Sequence, residues 1–247
     1  MKTRSIFFAT MLASLTAVSC SEEASPPPAP PTVSRPPSVP ARAASERSRV
    51  RLDDGCEVVV ADSGLRLRCE ETEEACVPKG TADFVPATGS ETVFSCHIPG
   101  VDDQLERNVV AIVAGRSIVW ATHTEFVDSE DSDAIRVQDL TGDGHAELVL
   151  TTVEIGDLVH TKLAVFRFDS GGHAERVLML ETGLGGDRDG FSSAVSLDGS
   201  NVQVVRTAAS APRRPTTCTY NWSPNLERFV PDGTSAQPGC SQPEDAV

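Results

Sequence analysis

The sequence predicts an all-β fold, with short antiparallel strands in a propeller-like or sandwich-like arrangement stabilised by disulfides. Three observations carry this. Short runs rich in Val, Ile and Thr recur between turn residues from Val50 onward. No stretch keeps a 3.6-residue apolar period over three turns, so helices are not expected. Cysteines recur within and between the strand-like runs, which fits a disulfide framework.

The elements follow in chain order. Residues 1–19 have the form of a signal peptide: Lys2 and Arg4 supply positive charge, and Ile6 to Val18 is mostly apolar. That stretch is short for a membrane span, which needs about 20 apolar residues. Ala17-Val18-Ser19-Cys20 then places small residues before a cysteine. This resembles the lipobox of bacterial lipoproteins, with Ala17 where Leu is usual. The resemblance implies that Cys20 carries the lipid and anchors the chain to a membrane. Ser21 after the anchor cysteine resembles lipoproteins sorted to the outer membrane. Ala17-x-Ser19 also fits ordinary cleavage, which leaves a secreted or periplasmic form open.

Residues 20–49 make the anchor and a tether. Pro26 to Pro40 holds eight prolines in fifteen residues. Such a run favours polyproline II at about 3.1 Å per residue, a semi-rigid spacer of roughly 45 Å.

Residues 50–247 form the β-rich domain. The strand-like runs are Glu57–Val60, Leu65–Cys69, Thr92–His97, Asn108–Ala114, Ile118–Phe126, Ile135–Gln138 and Leu148–Val153. Lys162–Phe168, Arg176–Leu180, Ser192–Leu197, Val202–Thr207, Thr217–Trp222 and Arg228–Val230 follow. Gly115-Arg116 and Asp198-Gly199 read as tight hairpin turns. Four cysteines cluster in residues 50–99, which raises a small Cys-rich module there and a second module over 100–247.

With Cys20 lipidated, six cysteines remain, and six allow 15 pairings. Local sequence favours Cys56–Cys69, Cys76–Cys96 and Cys218–Cys240. Cys56 and Cys69 flank a hairpin-like run, EVVVADSGLRLR, and would face each other across it. Zinc would need closely spaced Cys/His pairs, and the sequence has no C-x-x-C.

The net charge is −15, and the exported part carries 36 acids against 19 bases. That disfavours nucleic acid and anionic surfaces as partners.

One segment points to chemistry: Asp139-Leu-Thr141-Gly-Asp143-Gly144-His145-Ala-Glu147, set between two strand-like runs. Oxygen-bearing side chains fall at positions 1, 3, 5 and 9, with glycine at 6. Asp139, Thr141, Asp143, the His145 carbonyl and Glu147 offer the all-oxygen set that calcium takes. Position 12 is Leu150, so the segment is not an EF-hand. DLTGDGHAEL followed by VLTT instead resembles one repeat of the FG-GAP/VCBS class of integrin-type propellers, with Thr141 and Glu147 as departures. The resemblance implies a structural calcium and a propeller-like neighbourhood. Gly185-Gly-Asp187-Arg-Asp189-Gly190 reads as a degenerate second loop. The competing reading is a turn that uses Asp and Gly for backbone tolerance.

No catalytic constellation stands out. The sequence lacks G-x-S-x-G, a Walker loop and H-E-x-x-H. His97, His123, His145, His160 and His173 are scattered. Ser192-Ser193 has no histidine beside it in sequence. Asp102-Asp103 and Glu130-Asp131 are the sort of acid pairs glycoside hydrolysis uses, and also the sort that solvate loops. The expectation is a non-enzymatic, calcium-stabilised envelope module that binds a protein or a glycan. A secreted hydrolase with loop carboxylates and a purely structural envelope protein are the competing classes.

Overall fold

The computed structural model describes residues 48–70, 72–86, 88–98, 107–124, 134–155, 157–185, 190–212, 214–233 and 240. The expected signal peptide, Cys20 and nearly all of the tether lie outside them. So do Asp102-Asp103, Glu130-Asp131, and Asp187 and Asp189 of the degenerate loop.

The described chain is antiparallel β throughout, and every hydrogen-bonded neighbour is the next strand in sequence. The first meander is β1 (Arg49–Arg51), β2 (Glu57–Ala61), β3 (Gly64–Cys69) and β4 (Thr72–Ala75). The second is β5 (Val77–Ala82), β6 (Glu91–Ile98), β7 (Arg107–Ala114) and β8 (Ser117–Thr124). An eight-stranded sheet follows: β9 (Ile135–Gln138), β10 (Glu147–Ile155), β11 (Val159–Phe168) and β12 (Ala174–Leu184), then β13 (Phe191–Asp198), β14 (Asn201–Ala208), β15 (Thr216–Ser223) and β16 (Arg228–Pro231). Among the described residues, the strand pairing between its halves is Gly183↔Ser192 and Leu184↔Phe191. It is therefore two further meanders hinged at one corner.

Alternation makes these strands and sets their faces. In β3, Leu65, Leu67 and Cys69 are buried while Arg66 and Arg68 face outward. Each meander then stacks on the next through its own apolar layer. Leu52, Val58, Leu65 and Leu67 pack with Val109, Ala111 and Ile118 between the first and second. Phe84, Val93 and Ile112 pack with Leu148, Leu150 and Phe168 between the second and third. Leu163, Val165 and Leu180 pack with Val202, Val204, Tyr220 and Phe229 between the third and fourth. Stacked four-stranded meanders are the propeller-like form of the expected fold.

The three locally favoured disulfides are present: Cys56–Cys69, Cys76–Cys96 and Cys218–Cys240. Glu57 pairs with Arg68, which sets Cys56 opposite Cys69 across the hairpin. One detail differs from the sequence reading. Asp198 is still in register with Asn201, so the turn residues are Gly199 and Ser200. β6 pairs with β7 in one sheet, and the sheets divide at Cys76 and between Thr124 and Ile135.

One close approach fixes the second meander on the third. Gly172, in the β11–β12 turn, has φ +76°, and a Cβ there would lie 2.7 Å from Val119 Cγ1. Only glycine fits both constraints.

Candidate functional site

The acidic segment forms the β9–β10 loop, between Gln138 and Glu147. Asp139 folds back over it. Its Oδ1 accepts the Gly142 N–H at 2.7 Å and its Oδ2 the Gly144 N–H at 3.1 Å. That wrap needs left-handed backbone at both glycines, at φ +76° and +89°. Asp143 Oδ1 accepts the His145 N–H at 2.9 Å, and its Oδ2 lies 3.3 Å from Arg167.

Glu147 is fully buried and closes the loop from inside. Its Oε2 accepts the Leu140 N–H at 2.6 Å and the Thr141 N–H at 3.1 Å, and Thr141 Oγ1 donates to Oε1 at 3.2 Å. Burial pushes its carboxyl up to about 7; these donors pull against that, and the charge of Asp143 adds to it.

The structure thus brings Asp139, Thr141, Asp143, His145 and Glu147 into one loop, but gives them different work. The oxygen donors suit a hard cation in chemistry. Their arrangement is another matter: Glu147 points inward onto backbone donors, and Asp139 is turned onto two glycine N–H groups. Among the described residues no three acidic, histidine or cysteine side chains are grouped to hold a metal ion. In this arrangement hydrogen bonds close the loop.

A second loop of the same construction joins β5 to β6, and the sequence reading missed it. Glu91 is fully buried, its Oε2 accepts the Phe84 N–H at 2.8 Å, and Thr88 Oγ1 donates to its Oε1. The spacing is shared. Asp83-Phe84 precedes Glu91 as Asp139-Leu140 precedes Glu147, with a β-run following each glutamate. The loops also touch: Ala146 N–H donates to the Asp83 carbonyl at 2.7 Å, and His145 Nδ1 lies 3.3 Å from Asp83 Oδ1.

The other histidines are tied down similarly. His123 Nε2 lies 2.7 Å from Asp54, across from the second meander to the first. His160 Nδ1 meets Glu181 at 2.6 Å, His173 Nδ1 meets Asp169 at 3.0 Å, and His97 Nδ1 meets Asn108 Oδ1 at 2.9 Å. The backbone N–H of His173 is the main reason the Asp169 carboxyl sits below its usual range.

Beside the acidic loop, turns from the second, third and fourth meanders enclose a cleft of about 480 Å³ lined by Pro86, Asp143, Arg167, His173, Glu175 and Glu227. Its charges are set against one another: Arg167 lies 3.3 Å from Asp143 and 3.8 Å from Glu227, with its guanidinium 5.6 Å from the Trp222 ring centre. Trp120 packs on Phe166 and Phe168, and Trp222 on Phe229. Compared with known proteins, the chain matches no family model and no curated protein.

Proposed function

We propose that this chain is an exported envelope lipoprotein, anchored through Cys20, whose β-stack serves as a non-enzymatic module that binds a glycan or another protein. The observation that carries this reading is the polar cleft where turns of three meanders meet, with Arg167 between Asp143 and Glu227, His173 beside Asp169, and Glu175 also on its wall. The ion pairs fix the turns around a recess that a ligand can enter.

Calcium belongs to the same proposal. Its donors would be Asp139, Thr141, Asp143, the His145 carbonyl and Glu147, after Asp139, Thr141 and Glu147 give up the hydrogen bonds that now close the loop. Bound there, the ion would neutralise a loop that otherwise crowds like charges. The test is thermal unfolding of the oxidised full chain in chelator and then in rising calcium. A midpoint that climbs with calcium, and stops climbing in Asp143→Ala, supports the reading. No shift up to several millimolar overturns the calcium part and leaves a hydrogen-bonded turn closed by Glu147. The anchor is tested separately. Cys20→Ser should move the protein from membrane to soluble fractions, and unchanged fractionation would overturn lipid anchoring.

A further inference from the structure

The cleft beside the acidic loop receives a carboxylate from each element that walls it on the third and fourth meanders. Asp143 comes from the β9–β10 loop, Asp169 from the β11–β12 turn, Glu175 from the start of β12 and Glu227 from the β15–β16 turn. Against these four stand one guanidinium, Arg167, and one imidazole, His173. The wall is therefore negative whether or not His173 is protonated. Both cations are already engaged: Arg167 lies between Asp143 and Glu227, and His173 is 3.0 Å from Asp169.

The acids are held in different ways. Asp169 Oδ1 accepts the N–H groups of Gly171 at 2.8 Å and of His173 at 2.9 Å, which fixes its position in the turn. Glu175 is opposite Arg167 in the β11–β12 register, yet Arg167 turns to the neighbouring loops instead. Among the described residues no cation pairs with Glu175. Glu227 has φ +49°, a left-handed conformation that glycine or asparagine takes at less cost. A glutamate there sets a charge on the cleft wall where the turn itself favours a neutral residue.

The recess also has an apolar side. Its volume of about 480 Å³ falls within the range of ligand pockets, roughly 300–1,000 Å³, and Pro86 forms part of its lining. Leu226 precedes Glu227 on the same turn, lies outside the lining, and is 56% exposed. Lysine and arginine combine an apolar stem with a charged head, so such a side chain covers Pro86 while its head reaches a carboxylate.

We infer that the cleft seats a short basic segment of a partner protein, with lysine or arginine side chains among Asp143, Asp169, Glu175 and Glu227 and an apolar neighbour on Leu226. Charge complementarity selects the class, because an anionic or neutral ligand gains nothing from four carboxylates. A peptide, unlike a small polyamine, also brings a side chain to Leu226. This deepens the proposed binding role by naming the partner, and it rests on the cleft being the recess that a ligand enters.

The experiment is fluorescence anisotropy of the oxidised full chain with a labelled short peptide of lysine and leucine. It is run in chelator at about 0.15 M salt, where exposed charges more than about 8 Å apart are largely screened. The glutamate counterpart of the peptide, spermidine and chitosan oligomers are the comparison probes. Saturable binding that is tightest for the basic peptide is expected. Glu175→Gln/Glu227→Gln, checked for an unchanged far-UV spectrum, should weaken it by about tenfold or more. Glu175→Gln alone should weaken it by about threefold, and it serves should the double variant misfold. Asp53→Asn/Glu74→Gln removes the same charge from exposed positions of the first meander and should change nothing. Leu226→Ser should weaken the peptide and leave spermidine unchanged. Equal weakening by the cleft and first-meander variants would reduce the effect to general attraction of a polycation by a net −15 chain, and would overturn the inference. Cleft-dependent binding that is tighter for spermidine or chitosan would overturn the protein partner and keep the cleft as a binding site. If only the glutamate peptide binds, the inference falls and the binding role stands; if no probe binds, both fall.

Discussion

The β5–β6 and β9–β10 loops share one frame and differ in what decorates it. Both begin with Asp and a large apolar residue, and both end in a buried glutamate seven residues after the apolar one. In both, that glutamate accepts the apolar residue's own N–H. The decoration differs: the second loop has Thr141 and Asp143 where the first has Val85 and Ala87. The pair is thus an internal control. What the loops share closes a turn between two strands, and needs no metal to explain it. What only the second loop has is its extra carboxylate, Asp143, and the proposed calcium chemistry rests on it.

The largest expected effect comes from removing either clamp. Glu147→Ala strands the N–H groups of Leu140 and Thr141, and Glu91→Ala strands that of Phe84. Each should lower the unfolding free energy by about 2–4 kcal/mol in a urea titration. A loss at Glu91 within about 0.5 kcal/mol of zero, typical of an inert surface site, would break the equivalence of the loops.

Calcium sharpens the contrast at the next level. At a concentration tenfold above its dissociation constant it should stabilise the native chain by about 1.4 kcal/mol. Asp143→Ala should abolish that gain and Glu91→Gln should leave it intact. Loss of the gain in both variants would mean that the decoration alone does not make the site.

A pH series in chelator follows. The folded Glu147 carboxyl holds its proton up to about pH 7, and its ordinary value is 4.5. Between these the folded state binds more protons than the unfolded one. The stability from this group is therefore fully present below 4.5 and falls as pH rises through 7. Native stability measured relative to Glu147→Gln should decline between about pH 5 and pH 8. A flat difference would show that the donors of Leu140 and Thr141 outweigh burial.

The smallest effect is at the contact between the loops. Asp83 and His145 are partly exposed, so a double-mutant cycle on Asp83→Ala and His145→Ala should give a coupling of less than about 1 kcal/mol. A larger coupling would mean that the two loops act as one unit.

Much of this fold was legible because alternation was. All the strand-like runs from Glu57 to Val230 became strands within their described residues, and the three locally favoured disulfides are present, two of them across hairpins. The missed strands are edges, where burial leaves little pattern. β4, Thr-Glu-Glu-Ala, is exposed at every position. β5 contains Pro78 and Gly80, and its register slips between them. β1 is three residues long, with two arginines. The acidic loop was found through its carboxylates, but spacing alone did not reveal that Glu147 faces inward. The first loop lacks acids at its middle positions and so escaped a search keyed to metal ligands. Its signal was the shared interval from Asp83-Phe84 to Glu91 and the apolar run after it.

The unbroken meander order bears on how the chain reaches this state. Every hydrogen-bonded strand pair joins sequence neighbours, so each pairing closes only a short loop. All-β proteins are usually slow to fold because distant segments must find one another first. Here strands can add one at a time, and each completed meander offers its apolar layer as a template for the next. A chain emerging N-terminus first can build the first meander, with Cys56 and Cys69 already opposed, before the fourth has appeared.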